Sequence, residues 1–301
     1  MNGPDWNSAA PDSILLATDL GARSDRALDR AVQLARQWNA RLVVATVVDE
    51  HAMEARAMTL RDPPGWYREE DPADLAQKQL LEDLSARDLR VKVRVKRGDV
   101  VESLLAVAHE EGCGLVVTGV ARYEALGRMV LGSTVDRLAR RSTVPVLAVR
   151  RRVHAPYRRM VVASDWSGSA RYALQAAAGL FPEAAVSVLH GYEVPMAGLL
   201  DTARDETVAR LGEQALAEGR AFVEDARLPG GAGSVSLVVE RGDPAVLLPL
   251  YACQFPVDLA VVGTHGRSAL YDIVLGSVAR RLLEAAPVDT LVVRDPRAGA
   301  D

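Results

Sequence analysis

The chain has 301 residues, a formal charge of −4, 49% hydrophobic residues and only 5% aromatics. That length holds two domains more readily than one, and the weak negative charge argues against a nucleic-acid binder. Two cysteines, Cys113 and Cys253, make neither a metal-ligand pair nor a disulfide framework and point to a reducing cytoplasm. No apolar run approaches membrane-spanning length.

Residues 1–13, "MNGPDWNSAAPDS", have neither a basic nor an apolar region and read as a disordered leader, not a signal peptide. Five β-branched runs follow: "ILLAT" from Ile14, "RLVVATVV" from Arg41, "VKVRV" from Val91, "LVVTG" from Leu115 and "VPVLAV" from Val144. Between them lie alanine- and leucine-rich stretches such as "SDRALDRAVQLARQW", where Ala27, Leu28 and Val32 keep helical spacing. The order then starts again. "ILLATDLGARSDRALDRAVQLA" is answered by "MVVASDWSGSARYALQAAAGLF", "VKRGDVVESLLAVA" by "VERGDPAVLLPLYA", "GLVVTG" by "DLAVVG" and "VPVLAVRR" by "VDTLVVRD". The offset is 146 residues for Asp19 and Asp165, and 144 for Gly98 and Gly242, Gly132 and Gly276, and Arg150 and Arg294. One domain is therefore written twice, over 14–152 and 157–296. The joining run "VRRRV", with Arg158 and Arg159, reads as a solvated linker.

Strands alternating with helices predict βαβ units and, in each half, a five-stranded parallel sheet covered on both faces. Such sheets bind ligands beyond the carboxyl ends of their strands, where strand order reverses. Thr18–Asp19 and Ser164–Asp165 stand there, after the first strand of each half and before helices that start near Ser24 and Ser167. Helix capping and turn chemistry account for these aspartates as well as ligand contact does. The stretch "GTHGRSALYDIVLGS" is more specific. Gly263 closes a strand, Gly266 allows a close backbone approach, and Gly276 and Ser277 open a helix whose unpaired N–H groups and dipole favour an anion. A glycine-lined loop facing that start is a phosphate cradle. The first half repeats it with Gly119, Gly132 and Ser133 but carries Arg122 in place of the second glycine. Neither a G-x-x-x-x-G-K-[ST] loop nor a G-x-G-x-x-G fingerprint occurs.

These residues give the chain its resemblance to the universal stress protein family. The family's pattern of Gly, two residues, Gly, nine residues, Gly and Ser or Thr is met by Gly263, Gly266, Gly276 and Ser277. "DLAVVGTHGRS", "APVDTLVVR" and "SVLHGYEV" are similar too, and the likeness runs from about Ile14 to Arg294. It implies two Rossmann-like (adenine nucleotide alpha hydrolase-like) domains, paired through their last strands as an intramolecular pseudo-dimer, with a homodimer of the chain left open. The implied ligand is ATP, ADP or AMP, with or without Mg²⁺ on its phosphates. In the second half Ser164, Asp165 and Gly191 would face the adenine. Gly263, His265, Gly266, Arg267, Gly276, Ser277 and the amide of Val278 would face ribose and phosphates. The first-half equivalents, a weaker site, are Thr18, Asp19, Val47, Gly119, Arg122, Gly132, Ser133 and Thr134. Gly191 departs from the larger apolar residue usual at that place.

The resemblance implies a stress-response sensor or regulator. Two other readings stay open: a slow ATPase or phosphotransferase, and a nucleotide-free scaffold or binder of a lipid-like ligand. Against an enzyme stand the missing P-loop lysine, the lack of a carboxylate pair, and the absence of a Ser/His/Asp or Cys/His arrangement. His190 reads as a packed core histidine and Trp166 as a cover for the domain surface or a platform for a base.

Overall fold

In a computed structural model the described residues are 10–22, 24–48, 70–85, 88–120, 132–194, 204–228, 231–264 and 275–295. The first half runs β1 (Ser13–Ala17), α1 (Asp25–Trp38), β2 (Arg41–Val48), α2 (Pro72–Ser85), β3 (Val91–Arg97), α3 (Val100–Glu110), β4 (Leu115–Gly119), α4 (Ser133–Arg141) and β5 (Val146–Val149). The second half repeats the order with β6 (Arg159–Ala163), α5 (Gly168–Leu180), β7 (Ala185–Tyr192), α6 (Arg204–Asp225), β8 (Val235–Arg241), α7 (Pro244–Gln254), β9 (Leu259–Gly263), α8 (Ser277–Ala285) and β10 (Asp289–Val293).

Local chemistry sets these boundaries. In α1 the apolar stripe Ala27, Ala31, Leu34 and Ala35 is buried, and the helix ends at Asn39, whose left-handed φ of 52° brings its N–H back to the carbonyls of the last turn. β3 and β8 both end in Arg-Gly-Asp. Gly98 and Gly242 take φ of 106° and 138°, and Asp99 and Asp243 cap the next helix through backbone N–H groups.

Each half is a five-stranded parallel sheet, and together they form one ten-stranded sheet ordered β3-β2-β1-β4-β5-β10-β9-β6-β7-β8. The fold expected from the sequence is thus observed, as is the join through the last strands. β5 and β10 pair antiparallel, with Leu147 opposite Leu291. Alternate residues feed opposite faces. Ile14 and Leu16 enter a core that runs under both halves, while Leu15 and Ala17 enter a core confined to the first.

The segment between the halves is largely exposed, as its arginines read, but it is anchored at two buried residues, Arg150 and Tyr157. Arg150 is buried, and its guanidinium donates to the Leu283 carbonyl. Asp289, fully buried, accepts the N–H groups of Arg150 at 2.7 Å and Arg151 at 2.8 Å on one oxygen. Its other oxygen takes the Tyr157 hydroxyl at 2.6 Å and the ion pair with Arg30 at 3.4 Å. Arg30 also donates to the Ala155 carbonyl and lies 4.0 Å from the centre of the Tyr157 ring. A carboxylate this deep is tolerable only when so fully partnered.

Removing one partner exposes that balance. Asp289→Ala is expected to cost about 3–5 kcal/mol of stability, and Tyr157→Phe about 1–3 kcal/mol, by denaturant unfolding. Burial first, and the neighbouring Asp289 charge second, push the Tyr157 phenol well above its ordinary value. The folded chain therefore holds that proton more tightly than the unfolded one. Its contribution is complete below pH about 10 and declines as pH rises beyond it. Wild type should lose stability more steeply than Tyr157→Phe in that alkaline range; parallel curves would refute the assignment.

Candidate functional site

The strand order places a switch point between β1 and β4 in the first half and between β6 and β9 in the second. From each point the chain departs to opposite sides, leaving a crevice at the carboxyl ends of those strands. The aspartate loop and the glycine segment stand on either side of it.

The aspartate loops are built alike. Thr18 and Ser164 donate their N–H groups to Ala45 and Leu189 across the sheet, which anchors the end of the first strand. Their hydroxyls accept the N–H of Leu20 at 3.0 Å and of Trp166 at 3.1 Å. Leu20 and Trp166 take left-handed φ of 61° and 63°. Each costs roughly 1–2 kcal/mol as a non-glycine residue, so the turn is held by its surroundings. One oxygen of Asp19 accepts the Gly21 N–H at 3.0 Å and the Ser24 hydroxyl at 2.7 Å, and one oxygen of Asp165 accepts the Ser167 N–H at 3.1 Å. Turn chemistry is thus part of what both aspartates do. Ser167 also caps α5 by accepting the Ala170 N–H at 3.1 Å, whereas Ser24 spends its hydroxyl on Asp19 and does not cap α1.

Across the crevice, Gly263 closes β9 and Gly119 closes β4. A Cβ on Gly263 would lie 2.9 Å from the Ser169 hydroxyl and 3.1 Å from its carbonyl, so the first turn of α5 itself demands glycine here. Gly276 caps α8 at φ −53° and donates its N–H to the Thr264 carbonyl at 2.9 Å, pinning the start of the helix to the end of β9. Gly132 caps α4 at φ −60°, with Ser133 exposed and Thr134 half-buried after it. Ser277 and Val278 are exposed. The contrast with other helices is informative: side chains of Asp99, Ser167 and Asp243 satisfy the starts of α3, α5 and α7, but the glycine caps of α4 and α8 have no side chain to offer. First-turn N–H groups have no carbonyl partner inside their own helix. His265, Gly266, Arg267 and Arg122 lie outside the described residues.

At the end of β7 the structure gives Gly191 a reason of its own. A Cβ there would stand 2.4 Å from the Gly242 carbonyl and 3.1 Å from both Leu247 and Pro244. The first-half counterpart, Val47, is half-buried. His190 is the hydrogen-bonded histidine expected: Nδ1 lies 2.8 Å from the Ser164 carbonyl, and its ring stacks on Trp166 at 4.4 Å. Trp166 is buried against Phe222 and does not present a face for a base. Gly219, a residue the sequence did not flag, makes the room, since its Cβ would meet the Trp166 ring at 2.8 Å.

Two further pairs escaped the sequence reading. Arg137 on α4 bonds both oxygens of Asp99, at 2.9 and 3.0 Å, and Arg281 on α8 pairs with Asp243. Each ties a glycine-capped helix to its neighbour's cap. The backbone N–H of Glu102, then Arg137, lowers the Asp99 pKa; the N–H of Ala245, then Arg281, lowers that of Asp243. The signal was present in the repeated Arg-Gly-Asp. Among the described residues no His, Cys, Asp and Glu side chains converge as a metal site would require, and no helix is long and apolar enough to cross a membrane.

Fold and crevice together define a tandem doubly wound α/β protein with one strand-end cleft per half. The model of the universal stress protein family matches the chain twice, over residues 11–150 and 156–294. A universal stress protein of Mycolicibacterium smegmatis is 27% identical over 310 residues, spanning 95% of this chain and 98% of its own. Universal stress protein Rv2005c of Mycobacterium tuberculosis is 28% identical over 301 residues, spanning 93% and 96%. Among solved structures, a functionally unknown protein of Pseudomonas aeruginosa PAO1 superposes with a TM-score of 0.66 at 19% identity, over 95% of this chain and 93% of that one. The chain belongs to the universal stress protein family.

Gly191→Val tests the packing at the crevice wall. Forcing a branched side chain against the Gly242 carbonyl is expected to cost about 1–3 kcal/mol in thermal or denaturant unfolding. An unchanged midpoint would show that the β7 end and the Gly242 turn are not held against each other.

Proposed function

We propose that the second half binds an adenine nucleotide, as part of a stress-response regulator. The phosphates lie against Gly276, Ser277 and the Val278 amide, and the family's glycine pattern assigns Gly263 and Gly266 to the same ligand. The base lies toward Asp165 and the end of β7. One observation carries this reading: α8 starts on a glycine with no capping side chain, and that start is pinned by Thr264 at the mouth of the switch-point crevice. Dipole, orphan N–H groups and a serine hydroxyl there suit a phosphate. The family's glycine pattern, complete in this half, supports the same placement.

Calorimetric titration of ATP, ADP and AMP into the chain tests it. Ser277→Ala removes one hydrogen bond to a charged group, and affinity should fall roughly tenfold or more. Gly276→Val should be worse, because its Cβ would sit 3.3 Å from the Thr264 carbonyl and the branch would enter the cradle. Unchanged affinity in both variants, each shown to be folded, rules the placement out.

The first half differs at Arg122, where a side chain occupies a position that elsewhere in the repeat is Gly266. The glycine pattern is therefore incomplete in this half, and the first half binds weakly or not at all. One strong site per chain is expected. Arg122→Gly should strengthen or create a site in the first half, and Gly266→Arg should cripple the second-half site without unfolding the protein. Two equally tight sites in wild type, indifferent to both substitutions, would refute the assignment.

A further inference from the structure

Helix α7, "PAVLLPLYACQ", contains no charged residue. Ala245, Leu248 and Ala252 are its buried face. The opposite face leaves Val246 55% and Leu250 61% exposed, with Cys253 exposed one turn on and Phe255, 51% exposed, just past the helix. The Phe255 ring rests on Tyr251 at 4.7 Å, so it is held out from the helix end by contact with its own chain.

The repeat supplies an internal control. Helix α3 holds the same place in the first half, and an offset of 144 residues aligns the two. There the corresponding outward residues are Glu102, Ala106 and His109, all exposed, and Glu102 pairs with Arg141 of the neighbouring helix. In the second half Val246 stands for Glu102 and Ala285, also exposed, stands for Arg141. The inner pair is kept, as Asp99–Arg137 and Asp243–Arg281, while the outer pair has become apolar. The fold therefore accepts charge on this face. Its absence from the second half is a property of that surface and not of helix packing.

We propose that the outer face of α7 is the contact through which two copies of this chain pair about a two-fold axis. In such a contact each residue near the axis meets its own copy, so any charge there meets a like charge. A helix without charge, flanked by apolar Ala285 and Phe255, meets that condition, and the α3 face with Glu102 does not. Asymmetry between the halves also makes the contact close: one α7 face per chain gives a dimer, whereas two would propagate a filament. A stable interface buries roughly 800 Å² on each partner, and an apolar patch of this kind supplies its core while charged residues supply its rim. The charged rim is at hand in Asp243–Arg281 and Arg280–Glu284.

Sedimentation velocity of the full chain over a dilution series is the test. Wild type is expected to dimerise at micromolar concentration. Val246→Glu and Leu250→Glu should each weaken the dimer roughly tenfold or more, with circular dichroism and melting unaltered. Glu102→Val should leave it unchanged. A wild type that stays monomeric throughout overturns the proposal, as does a dimer indifferent to both carboxylates in folded variants. A monomer that instead co-sediments with phosphatidylcholine vesicles, and stops doing so as Leu250→Glu, would assign the face to a lipid surface and overturn it equally.

Discussion

The antiparallel pairing of β5 with β10 is the contact on which the rest of the molecule depends. The last strand of a doubly wound half is an open edge, and here each half closes the other's. The ladder is short: Thr290 opposite Ala148, Leu291 opposite Leu147, Val292 opposite Val146. Asp289, at the entry to β10, adds what that ladder lacks by gripping the chain as it leaves β5 and again at Tyr157. The sense of the pairing has a geometric result. All strands of one half run opposite to all strands of the other, so their carboxyl ends, and with them the two crevices, open at opposite margins of the sheet. No single ligand spans both. Coupling between them would have to pass through β5, β10 and the core that both halves share.

Duplication followed by divergence makes each half a control for the other. At the offset that aligns the halves, the first-half counterpart of Asp289 is Pro145, which has no carboxylate to receive backbone N–H groups. Leu20 and Trp166 occupy one backbone conformation with very different bulk, and the helix above adjusts: α6 places Gly219 over the indole. Glycine capping of the last helix is retained in both halves, although a serine or aspartate there would stabilise the helix better.

Periodicity and the repeat made the architecture legible before any coordinates. Strand runs such as "RLVVATVV" and "LVVTG" coincide with β2 and β4, because buried parallel strands are written as uninterrupted β-branched residues. The helix starts at Ser24 and Ser167 were legible for the same local reason. What could not be read was contact between distant segments. Gly191 and Gly263 look like ligand-facing glycines in the sequence, yet each is also required by a backbone or side chain from another element. The arginines after β5 read as a solvated run, and Arg151, Arg152, Arg158 and Arg159 are exposed; what the run does not show is that the backbone N–H groups of Arg150 and Arg151 are taken by Asp289, more than a hundred residues away.

The left-handed turn at Leu20 and Trp166 shows why a strained residue persists at the crevice. A glycine would take that φ without cost, but it could not fill the space beneath the helix that follows β2 or β7. Trp166 packs on His190 and Phe222, and Leu20 lies against the common core. The neighbouring aspartate must meanwhile stay at the crevice, with its carboxylate steadied by the next turn's N–H. Two adjacent residues thus serve opposite sides of one sheet end, one the core and one the cleft. The hydroxyl of Thr18 or Ser164 holds the reversal between them, and burial of the apolar side chain, worth about 1.5–3 kcal/mol when complete, offsets the roughly 1–2 kcal/mol of backbone strain. Core packing therefore maintains the geometry of the cleft, and a substitution at Leu20 or Trp166 would alter the cleft from the core side.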